Sequence, residues 1–211
     1  MRGSIRQRHA KTRQVISVLG VTEGAGATRL ALSIANYYAS AEGRKTAYGE
    51  ISKETKLGYI LEKAKCIATE PVGFQDPFLL YYPALGRQGI CDLMEQEKHG
   101  WERLILDQTL AEDSEIVIGS GAVHILLLDP TLWSYRQIQT EMRNLVTNQR
   151  LYRLLKGNAY TYTEDLRAIR RFQDEFGLVL HRIPWIKDPY RMCKGDIKAI
   201  QQILTREEMM I

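Results

Sequence analysis

The stretch VISVLGVTEGAGATRLALSIANYYAS, from Val15 to Ser40, constrains the fold of this chain more than any other. Val15 to Leu19 is an apolar run of strand length, Gly20, Gly24 and Gly26 crowd the turn behind it, and a helical period opens at Thr28. Strand, glycine-rich turn and helix in that order are the grammar of a phosphate-binding loop. Glycines let backbone N–H groups turn toward an anion, and the helix start adds the positive end of its dipole. Such a loop carries a lysine directly before the hydroxyl residue that opens the helix. Here that place holds Ala27. The same glycine pattern also serves tight strand–helix packing without any ligand.

Further along, short apolar strands alternate with helical stretches. The helix after Thr28, with Leu30, Ile34, Tyr37 and Tyr38 on one face, stops at Gly43. Lys45–Ile51, Phe78–Tyr82, Trp101–Asp107, Glu115–Ile118, His124–Leu128, Tyr152–Leu155 and Leu178–Ile183 read as strands, and 65–77 as loop. Leu57, Ile60 and Leu61 suggest a helical turn; Trp133 to Asn148, Asp165 to Phe176 and Asp196 to Thr205 read as helices. The expected class is α/β, a mostly parallel central sheet flanked by helices on both faces. Residues 15–211 form one domain in this reading, behind a basic tail at 1–14.

In such a sheet, ligands sit beyond the carboxyl ends of the strands. Three segments bring suggestive residues there. The loop Gly24-Ala25-Gly26-Ala27-Thr28 offers backbone N–H groups, and the Thr28 hydroxyl is a candidate magnesium ligand. Asp107, closing the apolar run LILD, is placed to hold magnesium through water, or else to cap a following turn. Ile183-Pro184-Trp185-Ile186-Lys187-Asp188 follows the last strand, where backbone groups can hold a base or simply form a rigid loop.

These motifs together resemble the ParA/MinD family of P-loop ATPases, whose deviant loop reads K-G-G-V-G-K-T. The likeness runs from Gln14 to about Leu204. Thr22 to Thr28 lies on that motif and keeps Gly24, Gly26 and Thr28. Lys45 to Ser52 resembles the second strand and first switch, with Glu50 on the first acid and Ser52 on the second, the acid that positions the attacking water. Leu104 to Asp107 resembles the strand bearing the magnesium-linked acid, and Asn158 and the Ile183-Pro184 loop resemble the adenine-contacting segments. The resemblance implies a P-loop NTPase of three layers, ATP or ADP with magnesium as cofactor, a homodimer, and a bacterial, cytoplasmic protein.

The departures fall on the chemistry. Thr22 replaces the signature lysine that crosses the dimer, Ala27 the lysine that bridges the terminal phosphates, and Ser52 the catalytic acid, while Glu23 adds a negative charge. Arg29, one helix position past Thr28, is expected to project elsewhere. Phosphoryl transfer depends on charge stabilisation and water positioning, so weak or no hydrolysis is expected, with nucleotide binding weakened or absent. Within the family, degenerate loops of this kind resemble the TadZ/CpaE branch. That implies a localisation or assembly scaffold for Tad (Flp) pilus secretion, at a cell pole or peripheral to the inner membrane, with pilus or secretion components as partners. The alternative is an ATP-binding switch or slow ATPase with charge donors from elsewhere.

Composition narrows the remaining classes. Arg2, Arg6, Arg8, Lys11 and Arg13 lie in the first fourteen residues, which leaves 24 basic and 25 acidic residues in the rest of the chain. The excess positive charge therefore belongs to the tail, suited to nucleic acid or anionic lipid, or to solubility alone. Cys66, Cys91 and Cys193 are odd in number and widely spaced, which speaks for a reduced compartment. The histidines have no ligand spacing, and no apolar run reaches membrane-spanning length. The aromatic residues Trp133, Tyr135, Tyr152, Tyr160, Tyr162 and Trp185 are expected to fill the core or its margins, with a partner surface as the other reading.

Overall fold

The computed structural model describes residues 13–51, 67–69, 73–76, 78–82, 85, 87–95, 100–110, 122–131, 135–147, 152, 153, 155 and 158–208. The first strand, β1 (Gln14–Gly20), leads through the glycine turn into α1 (Ala27–Asn36), which continues as one π turn over Tyr37–Ala41. Then follow β2 (Thr46–Ile51), β3 (Ile67–Thr69), β4 (Gly73–Asp76), β5 (Leu79–Tyr82), α2 (Arg87–Glu95), β6 (Arg103–Thr109) and β7 (Val123–Leu127). The chain closes with α3 (Tyr135–Thr147), β8 (Asn158–Thr161), α4 (Leu166–Phe176), β9 (Val179–Arg182) and α5 (Lys194–Glu208).

The strands form one sheet in the order β3-β4-β5-β2-β6-β1-β7-β8-β9. From β5 to β9 every pairing is parallel; β4 adds antiparallel to β5, and β3 antiparallel to β4. The central strand β1 is buried between β6 and β7, which explains its unbroken apolar run. Alternate residues go to opposite faces. Ile16, Val18, Ile105 and Ile125 pack with α1 and with Ile200, Ile203 and Leu204 of α5. Leu19 and Leu126 meet α3 and α4 on the other face, where Leu104 and Leu106 meet α2. The three-layer α/β architecture is as expected from the sequence.

Several boundaries differ. Gln14 already belongs to β1, and Arg13 lies over the ring of Trp101, 5.0 Å from its centroid. Positions 67–69 and 73–76, expected as loop, form an edge hairpin, and α2 was not anticipated. The strand expected at Tyr152–Leu155 is absent: Tyr152 and Arg153 are helical, and the strand lies at Asn158–Thr161. Asn158 is a poor strand former, but here burial and side-chain bonds fix it. By contrast α4 follows its signals closely. Asp165 accepts from the backbone N–H groups of Arg167 and Ala168, and Gly177 closes the helix at φ 66°. The basic tail up to residue 12, the expected helical turn at 57–61, Ser52 and the strand expected at 115–118 lie outside the described residues. No described helix is long and apolar enough to cross a membrane.

Candidate functional site

Three chain segments meet at the carboxyl edge of the sheet around a cleft of about 970 Å³. The glycine loop and first turn of α1 supply Thr22 to Arg29; β6 supplies Thr109; the loop after β9 supplies Trp185 and Lys187 to Tyr190. The sequence thus places Gly24, Ala25, Gly26, Ala27 and Thr28 together in the lining.

The loop is shaped by two glycines with positive φ, Gly24 at 76° and Gly26 at 93°. Ala25 N–H closes a turn on the Thr22 carbonyl at 3.3 Å, and Leu30 N–H reaches Gly26 O at 3.0 Å as α1 begins. No side chain caps this helix start, so its first N–H groups are left to the cleft side of the loop. Gly26 has a second constraint: a Cβ there would lie 2.8 Å from Cε2 of Tyr162. Ala27 is 7% exposed, and a Cβ on Gly20 would meet the Ala27 methyl at 3.0 Å. Strand β1 and helix α1 therefore approach as closely as small residues permit, and the position that would carry the phosphate lysine is a packed methyl.

Arg29 is the nearest cation on α1, and it is committed elsewhere. Its Nη1 donates to the carbonyl oxygens of Ile186 at 2.9 Å and Lys187 at 2.6 Å, and its guanidinium lies 4.3 Å from the centroid of the Trp185 ring. Trp185 in turn meets Tyr162 edge to face at 5.0 Å. The expectation that Arg29 projects away from the loop's phosphate position agrees with these bonds. Its actual role, tying α1 to the loop after β9, carried no signal in the local sequence. The Tyr162 hydroxyl is buried without a hydrogen-bond partner among the described residues, and burial pushes its pKa up.

The two expected magnesium ligands are not brought together in the cleft lining. Thr28 lines the cleft; Asp107 does not. Strand β6 runs two residues beyond Asp107, and in register Asp107 sits beside Val18 while Thr109 sits beside Gly20. At roughly 3.3 Å per residue Asp107 is about 7 Å below the edge. There it is 5% exposed and accepts from the Tyr48 hydroxyl at 2.9 Å, next to Glu50 of β2. Burial, and then the negative charges of Asp107 and Glu50, hold the Tyr48 hydroxyl firmly protonated. No group of three or more His, Cys, Asp or Glu side chains fit for a metal ion occurs among the described residues. Of the two expected magnesium donors, Thr28 alone lines this cleft.

Asn158 and Pro184 are also apart from it. Asn158 opens β8 at a buried position, accepts from His181 Nε2 at 3.0 Å, and donates to Glu207 Oε1 at 3.4 Å. Tyr160 donates to the same Glu207 oxygen at 2.6 Å, so this asparagine fastens α5 to the sheet. Pro184 is exposed and not part of the lining; its neighbour Trp185 takes the place in the cleft. Of the aromatic residues expected in the core or its margins, Trp185 lies at the margin, 56% exposed and against Tyr162.

No protein-family model matches this sequence, and no curated protein matches it. Solved structures do match in fold. MinD in the MinC:MinD cell division protein complex of Aquifex aeolicus superposes with a TM-score of 0.64 at 14% identity, over 91% of this chain and 96% of that one. A putative plasmid partition protein of Borrelia burgdorferi B31 bound to AMPPNP gives 0.57 at 11% identity, over 95% and 100%. A ParA family ATPase of Chlorobium tepidum gives 0.52 at 13%, over 94% and 93%. The fold is that of the ParA/MinD P-loop ATPases.

Proposed function

We propose that this chain is a non-hydrolysing protein on a ParA/MinD-like fold, serving as a localisation or assembly scaffold for protein partners. One observation carries the reading: the loop keeps its glycines while Ala27 offers a packed methyl and Arg29 is bound to two backbone carbonyls. Phosphoryl transfer needs positive charge at the terminal phosphates and an oriented water. The loop supplies backbone N–H groups without a side-chain cation, and position 52 has no acid. Residual binding of ATP or ADP through the loop amides remains compatible with this arrangement; turnover does not.

A fold neighbour held in a complex with MinC supports protein partners as a class. The setting we propose is Tad (Flp) pilus assembly at a cell pole, supported by the degenerate loop, with a homodimer as the working unit and the basic tail against anionic lipid or nucleic acid. The purified chain is expected to release phosphate from ATP no faster than its Thr28→Ala variant; turnover well above that control overturns the reading. In the host, loss of pili on deletion and a polar fluorescent fusion are expected. Normal pili with diffuse signal overturn the pilus setting.

A further inference from the structure

The edge of the sheet opposite the cleft, where the parallel strands begin, carries excess positive charge at its β2 end. Strand register fixes which residues stand there. Thr46 opens β2 between Leu79 of β5 and Arg103 of β6, so Lys45 lies between Phe78 and Glu102. The Lys45 carbonyl accepts from the Glu102 N–H at 2.7 Å, and the Phe78 carbonyl from the Thr46 N–H at 2.9 Å. Arg13 comes next along the rim, one residue before β1, whose Gln14 pairs with Arg103.

Arg13, Arg44 and Lys45 are all exposed. Among the described side chains at this end of the rim the acids are Glu42, which is exposed, and Glu102, which is buried and paired with Arg44 at 3.3 Å. Residues 1–12 join at Arg13 with four further cations, Arg2, Arg6, Arg8 and Lys11, and no acid. Beside Lys45, Phe78 is 54% exposed. The same edge has two more exposed apolar side chains, Val179 at the start of β9 and Val146 in the last turn of α3. There Asp174 and Glu175 offset Arg143 and Arg153, so the positive excess stays at the β2 end.

We propose that this edge docks on an anionic lipid surface, with Arg13, Arg44, Lys45 and residues 1–12 at the headgroups and the Phe78 ring entering the boundary beside them. Cations gain attraction close to such a surface, and an apolar ring that already faces water is relieved of it there. A duplex groove is read by an inserted helix or β-ribbon, whereas this end of the rim is built of strand starts and the turn at Gly43. Docked this way, the strands run away from the bilayer and the cleft at their carboxyl ends stays open to partners. The inference rests on the proposal that the basic tail meets anionic lipid and extends it to the folded rim.

Co-sedimentation of the full chain with vesicles of phosphatidylcholine, alone or mixed with phosphatidylglycerol, tests it. Binding is expected to the mixed vesicles only, and to fall as salt is raised. Lys45→Glu and Phe78→Ser in one protein are expected to weaken it about tenfold or more. Both residues are exposed, and unchanged circular dichroism checks the fold. A second protein with Arg2→Gln, Arg6→Gln, Arg8→Gln and Lys11→Gln is expected to bind more weakly and still prefer the mixed vesicles. If that protein loses all binding while the rim variant binds like the parent, the rim proposal fails and the tail reading stands. Equal binding to both kinds of vesicle, or to neither, sinks both. A random-sequence DNA duplex that binds tighter than the mixed vesicles at the same salt, with the same loss in the rim variant, overturns the choice of lipid.

Discussion

The guanidinium of Arg29 lies 4.3 Å from the centre of the Trp185 ring, joining residues 156 positions apart in the chain. The same side chain bonds the next two carbonyls and so ties the first turn of α1 to the loop after β9.

Arg29→Ala is therefore expected to cost about 2 kcal/mol, from lost charged hydrogen bonds and the cation–ring contact. Arg29→Lys is expected to recover less than half, because an ammonium cannot reproduce the planar fork. Denaturant unfolding midpoints measure both. An Arg29→Ala protein as stable as the parent would mean the clasp contributes nothing.

Ala27→Lys places the missing cation beside the loop amides. It is expected to raise affinity for ATP by about ten- to a hundredfold, the equivalent of a charge-assisted hydrogen bond. Phosphate release should stay at background, since position 52 remains serine. Calorimetry before and after the substitution reads the first effect, and a phosphate-release assay the second.

Tyr48→Phe removes the donor that Asp107 accepts from at 2.9 Å in a buried site. The expected loss is about 1–3 kcal/mol, because a desolvated carboxylate gives up a partner. The size of the loss in thermal unfolding reports the burial of this pair.

Burial, and then the charge of Arg206, lowers the pKa of His181. Its folded value therefore lies below the unfolded one of about 6.5. Between those values the unfolded chain holds more proton, so this residue makes stability fall as pH drops through about 6.5 and level off below the folded pKa. Unfolding midpoints between about pH 7.5 and 5 should show the slope, and His181→Gln should flatten it.

Much of the layout was legible because it rests on local rules. The apolar run at Val15–Leu19, the glycine turn, and the Asp165 and Gly177 signals around α4 each act over a few residues, and all appear as read. Errors came where distant contacts override local preference. Asn158 looked like a strand terminator, yet it starts β8 because His181 and Glu207 satisfy its amide. Asp107 looked like a strand end, yet register with β1 and β2 carries β6 two residues further.

The sequence alone determined the α/β class, the glycine loop at the edge of a parallel sheet, and the absence of lysine at position 27, since periodicity and residue identity suffice for each. Only the tertiary structure decided what the loop faces. Arg29 meets Trp185, Tyr162 meets Gly26, and Asp107 meets Tyr48 across long stretches of chain. Such pairings depend on strand order and register, which bring side chains together irrespective of their distance in sequence.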